Sequence, residues 1–297
     1  MTTRRRFAQG ACAAVAACGL VPAPRQACAA SGWSEKLAVE LAKIEADSGG
    51  RLGVAVLDTL AGARSGHRAD ERFAMCSTFK LLAAGAILAR VDASKERLNR
   101  RVRFEARDIV PASAITKDRA GGDGMSLGEL CEAAIIVSDN TAGNLLLAEL
   151  GGPAGLTTYV RTLGDSVTRL DRIEPDLNEA VPGDPRDTTS PAAMVSNLHT
   201  LVLGNVLSAM AKNQLGRWLI GNRTGSPARR RVSPAGWRVG DKTGSGERGT
   251  TNDVGIIWPP GRAPILVSVY LTETSKTADQ RNAILAAVGH ATAAALA

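Results

Sequence analysis

The alternation of apolar and polar positions divides the chain into three stretches. Between Trp33 and Asp47, residues Leu37, Leu41 and Ile44 recur at helical spacing and predict a helix. Arg51 to Asp58 is a short, nearly continuous apolar run of strand length, and Ala61-Gly62 reads as a turn into a partner strand ending near His67. From Ser77 to about Leu219 the pattern predicts helices almost throughout. Phe79, Leu82, Ala83 and Ala86 mark one, and Ser126-Leu-Gly-Glu129 is a capping box that opens the next. Pro153 sits as a first-turn proline, and Ser190-Pro191 starts another helix. After Gly225 strands return at Trp237–Lys242, Asp253–Trp258 and Pro264–Leu271, and a helix from about Thr277 to Ala295 closes the chain.

Strands at both ends enclosing a block of helices predict an α+β two-lobed fold. The expected lobes are an antiparallel sheet with flanking helices, built from both chain ends (31–68 and 220–297), and an inserted all-helical lobe (69–219). A cleft between lobes is where a small-molecule active site is expected. With 297 residues, 44% hydrophobic and 22% charged, the chain can bury a large core without disulfides or structural metal. Only 3% of residues are aromatic, which argues against a nucleic-acid binder that stacks bases on aromatic platforms. No repeat of 20 to 50 residues is present, so solenoids and propellers drop out.

Residues 1–30 read as an export signal. Arg4-Arg5-Arg6-Phe7 resembles a twin-arginine signal, an apolar Ala-rich stretch runs from Ala8 to Val21, and Ala27-Cys28-Ala29 offers a small-residue cleavage site. The expected location is therefore the periplasm. Losing Arg4, Arg5, Arg6 and Arg25 lowers the net charge from +7 to +3, so no polyanion partner is required. Acylation of Cys18, in Val15-Ala-Ala-Cys18, is the competing expectation, a lipid anchor given less weight than cleavage. No later stretch reaches the roughly 18 apolar residues of a spanning helix. Cys12, Cys18 and Cys28 fall in this segment, leaving Cys76 and Cys131, which are expected to be small buried thiols, with a bridge between them left open.

Three short motifs carry candidate chemistry. Ser77-Thr-Phe-Lys80 puts a hydroxyl and an amine on one helical face, where a desolvated lysine can take the serine proton. In isolation it reads more readily as an N-cap serine with an exposed lysine. Ser138-Asp139-Asn140 interrupts two helical stretches and by itself reads as a turn. Lys242-Thr243-Gly244-Ser245 offers a cation, two hydroxyls and a glycine that admits close backbone approach, suited to an anionic substrate or to a plain strand end. Taken together, in this order and at these separations, they resemble the motif set of class A serine β-lactamases and penicillin-binding proteins, over about 260 residues. Arg172-Ile-Glu174-Pro-Asp-Leu-Asn178 is similar to the loop that distinguishes the β-lactamases, with an arginine–aspartate pair, here Arg172 with Asp187, closing it.

The resemblance implies a β-lactam hydrolase. Ser77 would attack the lactam carbonyl, with the N–H groups of Ser77 and Ser245 as oxyanion donors and Lys80 and Glu174 sharing the base role. Ser138 would pass a proton to the leaving nitrogen, and Asn140 would orient the substrate side-chain amide. Lys242, Thr243 and Ser245 would bind the substrate carboxylate, while Glu174 and Asn178 direct water onto the ester. Asp139 is expected to be a brace. A transpeptidase or carboxypeptidase would lack Glu174, and a penicillin-sensing domain would need a membrane span. No metal and no cofactor are expected, the partner is the β-lactam alone, and a monomer is expected.

The chain departs from the family in three places. Val110-Pro-Ala-Ser113 has no aromatic residue at the cleft mouth. The strand after Lys-Thr-Gly carries Thr251 where an arginine often supports the carboxylate pocket, so that charge is expected from Arg229, Arg230 or Arg231. Gly246 occupies the place of a cysteine that some carbapenem-hydrolysing relatives bridge to the position of Cys76. Gly244-Ser-Gly246-Glu-Arg-Gly249 fits a dinucleotide pattern, but a strand rather than a helix follows it. His67, His199 and His290 lack the spacing of metal ligands.

Overall fold

The apolar run at 265–272 becomes the central strand of a five-stranded antiparallel sheet. The computed structural model describes residues 26–224 and 236–296. Its strands are β1 (Arg51–Asp58), β2 (Ala63–His67), β7 (Arg238–Ser245), β8 (Thr251–Trp258) and β9 (Ile265–Thr272), in the order β2-β1-β9-β8-β7. Every residue of β9 and all but the first of β1 are buried, because both faces of these strands are covered. That is why their sequence is a run of apolar residues rather than an alternation.

Helices α1 (Gln26–Ser48) and α8 (Ala278–Leu296) cover one face. Leu37, Leu41 and Ile44 of α1 meet Val54 and Val56 of β1, Val267 and Val269 of β9, and Leu285 and Val288 of α8 in one core. Each such fully buried leucine contributes about 2 kcal/mol. The other face meets the helical lobe and a second, larger core. At its centre is α2 (Phe79–Asp92), buried from Phe79 through Leu88, as expected of a helix apolar on all sides. Around it stand α3 (Leu127–Ile136), α4 (Asn140–Leu150), α5 (Gly152–Thr162), α6 (Pro191–Val202) and α7 (Ala209–Ile220).

The capping box at Ser126 and Glu129 is formed with both reciprocal bonds, Pro153 lies in the first turn of α5, and Ser190 caps α6 with Pro191 at its start. The nearly continuous helical block predicted from Ser77 to Leu219 is overturned. Residues 93–126 and 163–187 are loops and 3-10 turns, broken only by the two-residue strands β4 (Arg101–Val102) and β5 (Met125–Ser126). Another short pair, β3 (Phe73–Ala74) and β6 (Thr188–Thr189), anchors the end of the second loop. These loops hold their backbone through side chains instead of a helical ladder. Asp165 Oδ1 accepts from Val167 N and Thr168 N, and Thr157 Oγ1 accepts from Leu170 N. Such polar turn residues are weak helix formers.

The export segment up to residue 25, and with it Cys12, Cys18 and the Arg4–Arg6 run, lies outside the described residues, as do Arg229, Arg230 and Arg231. Among the described residues no helix is long and apolar enough to cross a membrane.

Candidate active site

The site assembles where the start of α2, the turn between α3 and α4, the loop 163–187 and the edge strand β7 converge. Ser77 lies in a 3-10 turn (Cys76–Thr78) that runs directly into α2. Cys76, just before it, has φ of +45°, a left-handed conformation costing about 1 kcal/mol or more that surrounding structure must impose. Part of that structure is close at hand. Thr78 Oγ1 donates to Met75 O at 2.8 Å, and Asn252 Nδ2 of β8 donates to Ala74 O and Met75 O. Gly244 of β7 permits the approach, since a Cβ there would lie 2.9 Å from Met75 O.

Helical geometry brings Lys80 onto the face of Ser77. Its Nζ donates to Ser77 Oγ at 2.9 Å, Ser138 O at 2.8 Å and Asn140 Oδ1 at 2.7 Å, and lies 3.0 Å from Glu174 Oε1. Lys80 is fully buried. Burial pushes its pKa below the usual lysine value, opposed by the Glu174 carboxylate. Gly143 on α4 makes room for the amine, because a Cβ there would lie 2.8 Å from Lys80 Cε.

The Ser138 turn is a second left-handed point, with φ of +58°. Asp139 holds it. This buried carboxylate caps α4 by accepting from Ala142 N at 2.9 Å, and it accepts from Ile115 N, Thr116 N and Thr116 Oγ1 at 2.8, 3.0 and 2.8 Å. Asp139 thus ties the loop before α3 to the turn carrying Ser138 and Asn140. Asn140 Nδ2 donates to Pro111 O at 3.0 Å, in the stretch that lacks an aromatic residue.

Glu174 is 1% exposed, and its Oε1 accepts from Ser77 Oγ at 3.1 Å. Its other oxygen accepts from Asn178 Nδ2 at 2.5 Å, while Asn178 Oδ1 is buried without a hydrogen-bond partner. The loop is closed by Arg172 Nε donating to Asp187 Oδ2 at 2.6 Å, with Asp187 Oδ1 accepting from Asp171 N and Arg172 N. A further clamp was missed in the sequence. Asn144 of α4 accepts from Glu174 N at 2.8 Å and donates to Glu174 O at 2.9 Å, pairing both backbone groups of the glutamate. The signal for it was the i, i+4 spacing of Asn140 and Asn144 on one helix.

Lys242 lies across the site from Lys80. Its Nζ donates to Ser138 Oγ at 3.0 Å and to Thr243 O at 2.8 Å, so the Ser138 hydroxyl stands between two amines. Burial and the nearby Lys80 push the Lys242 pKa down to about 7. Thr243 Oγ1 is 2.5 Å from Thr224 Oγ1, and Ser245 is exposed at the end of β7, opposite Thr251. A second residue missed by sequence reasoning reaches that end. Arg281, in the first turns of α8, donates through Nε to Thr251 Oγ1 at 2.9 Å. Only the meeting of α8 with β8 reveals it, and no local pattern does.

Cys76 and Cys131 are free and buried, and burial raises both thiols above their ordinary pKa. No bridge joins them. Gly246 does adjoin Cys76, since a Cβ there would lie 2.7 Å from its sulfur. His67 pairs with Glu45 at 2.7 Å.

The site therefore holds a hydroxyl in contact with both an amine and a carboxylate, a second hydroxyl shared by two amines, and a cationic strand edge. This arrangement suits attack on a carbonyl, proton delivery to a leaving group and binding of a carboxylate. Comparisons with known proteins agree. A family model described as the β-lactamase enzyme family matches residues 36–296. The β-lactamase CTX-M-8 of Citrobacter amalonaticus is 49% identical over 248 residues, covering 84% of this chain and 85% of its own. The β-lactamase AST-1 of Nocardia asteroides is 48% identical over 245 residues, covering 82% and 79%. A solved structure of a class A β-lactamase representing the last common ancestor of Gram-negative bacteria superposes with a TM-score of 0.86. It is 60% identical, covering 88% of this chain and 99% of its own.

Proposed function

Because the chain belongs to the class A β-lactamase family, we propose that its hydrolysis of β-lactam antibiotics runs through an ester on Ser77, which water activated by Glu174 then cuts. The observation that carries this reading is the 3.1 Å contact between Ser77 Oγ and Glu174 Oε1, with Lys80 Nζ 3.0 Å from the same oxygen. A hydrolase needs its water-activating group on the ester, and a carboxylate already touching the nucleophile meets that need. An acylating enzyme without such a group would stop after one turnover.

In the proposed sequence, the serine proton leaves toward Lys80 or Glu174 as Oγ bonds to the lactam carbonyl carbon. The lowered pKa of Lys80 favours its neutral, basic form. The backbone N–H groups of Ser77 and Ser245 receive the oxyanion, each donor of this kind contributing about 10²- to 10³-fold. The C–N bond breaks, and the nitrogen takes a proton from Ser138, which the neighbouring amines resupply. Asn140 holds the substrate side-chain amide, and Lys242, Thr243 and Ser245 hold its carboxylate. Arg281, through Thr251, brings a supporting guanidinium to that pocket. Glu174 then takes a proton from water oriented by Asn178, and the ester opens to a ring-opened acid. Hydrolysis of this kind confers resistance to the antibiotic.

The lobes are assigned as 31–68 with 220–297 and 69–219. Export through the signal in 1–30 by the twin-arginine route would deliver a monomer to the periplasm, with no nucleic-acid partner, cofactor or metal. The chemistry is tested by steady-state hydrolysis of a chromogenic cephalosporin and by mass spectrometry of Glu174→Ala. That variant should accumulate an adduct of the intact antibiotic on Ser77 with turnover lowered at least a hundredfold. Rapid turnover without adduct would remove Glu174 from deacylation.

A further inference from the structure

Beside the end of α7, toward the end of β7 far from Ser77, a groove of about 280 Å³ opens between α6, α7 and the strands β7 and β8. Among the described residues its lining contains Lys212, Arg217 and Arg238 and no aspartate or glutamate. Among the described residues the three cations make their contacts to neutral groups. Lys212 Nζ donates to Gly204 O at 2.9 Å, Arg217 donates to the Gln214 side-chain oxygen, and the Arg238 guanidinium lies 4.8 Å from the centre of the Trp258 ring. None of the three takes part in an ion pair among the described residues. Apart from Asn213 and Gly216, the remaining walls are apolar and include Trp258 and Ile220, the latter 38% exposed.

The groove is open because of one residue. Lys212, Gly216 and Ile220 follow one another at i, i+4 and i+8 on a single face of α7. A Cβ at Gly216 would meet nothing within 4 Å, so the glycine is not required by a close neighbour. A glycine inside a helix costs about 1 kcal/mol relative to alanine, and here no packing constraint explains it. What it leaves is a gap in the floor, flanked by an aromatic ring and three positive charges of like sign. An anion placed among them would be attracted by all three while an apolar body covers Trp258 and Ile220.

We propose that this groove is a second ligand site, separate from the Ser77 centre, for small amphiphilic anions: one carboxylate, sulfonate or phosphate on an aromatic or aliphatic body. The volume is at the small end for ligand pockets and admits a molecule of about the size of an arylalkanoate. Its specificity is for charge and apolar surface together, since the cations alone would be solvated and the apolar wall alone would not discriminate.

The test uses the full folded chain, with 4-phenylbutyrate as the probe and 4-phenylbutanol as its uncharged counterpart, followed by NMR at the Trp258 indole N–H and the Gly216 amide. The expected result is saturable one-to-one binding of the carboxylate that shifts both resonances, with the alcohol at least tenfold weaker. The double variant Lys212→Ala/Arg238→Ala should weaken binding at least tenfold. Gly216→Leu, which replaces the glycine with a better helix former and fills the floor, should abolish it. All of these variants should hydrolyse a chromogenic cephalosporin at the parent rate, which establishes that they are folded. Absence of saturation, equal binding of the alcohol, or unchanged affinity in folded Gly216→Leu overturns the proposal.

Discussion

Removing the Asp139 carboxylate should cost this protein a large part of its stability. The side chain is fully buried and accepts four hydrogen bonds, from Ile115 N, Thr116 N, Thr116 Oγ1 and Ala142 N. In Asp139→Ala the threonine hydroxyl can rotate to a new acceptor, but the three backbone N–H groups cannot. Each buried donor left unsatisfied costs about 1 to 3 kcal/mol, and the lost N-cap is included among them. Taking a value near the lower end for each gives a loss of about 4 kcal/mol, large against the 5 to 15 kcal/mol typical of a whole domain. Asp139→Asn keeps one oxygen acceptor and the side-chain shape, so about half that loss is expected. The assay is equilibrium unfolding in urea, comparing midpoints at equal denaturant slope. If Asp139→Ala lies within about 1 kcal/mol of the parent, the carboxylate does not brace the Ser138 turn and its hydrogen bonds are replaced by solvent.

Two further outcomes follow from the carboxylate-binding side. Lys242 is charged below its pKa of about 7 and neutral above it, so KM for a penicillin should be flat below pH 7 and rise toward tenfold per pH unit above it. A KM constant from pH 6 to 9 would show that Lys242 does not bind the carboxylate in its charged form. Arg281→Ala should raise KM several-fold with kcat nearly unchanged, because the guanidinium reaches only Thr251 beside Ser245. A fall in kcat with constant KM would place Arg281 elsewhere in the mechanism.

What the sequence made legible depended on how local each constraint is. The strands β1, β8 and β9 and the caps at Ser126 and Ser190 were readable, because period, length and capping chemistry are properties of a few consecutive residues. Ser77 with Lys80, and Glu174 with Asn178, were readable for the same reason, each pair lying within one turn of chain. Their meeting across 97 residues was inferred from resemblance, and no spacing rule would have produced it. By pattern alone the stretches 93–126 and 163–187 read as helical, and only the resemblance marked 172–178 as a loop. Their order comes from side-chain bonds such as Asp139 to Ile115 and Arg172 to Asp187 rather than from a helical ladder. Arg281 was invisible for the same cause, and Asn144 showed only a helical spacing from Asn140 that named no partner. Each acts on a residue 30 positions away, and nothing local identifies that residue.

The grip of Asn144 on both backbone groups of Glu174 has a consequence for how this protein can diversify. The glutamate is anchored to a core helix at its own peptide groups, so its placement does not depend on every residue of the loop that carries it. A change elsewhere in the loop therefore need not displace the carboxylate, because its two peptide groups are held from outside the loop. The loop can thus tolerate sequence change without first dismantling the hydrolytic chemistry.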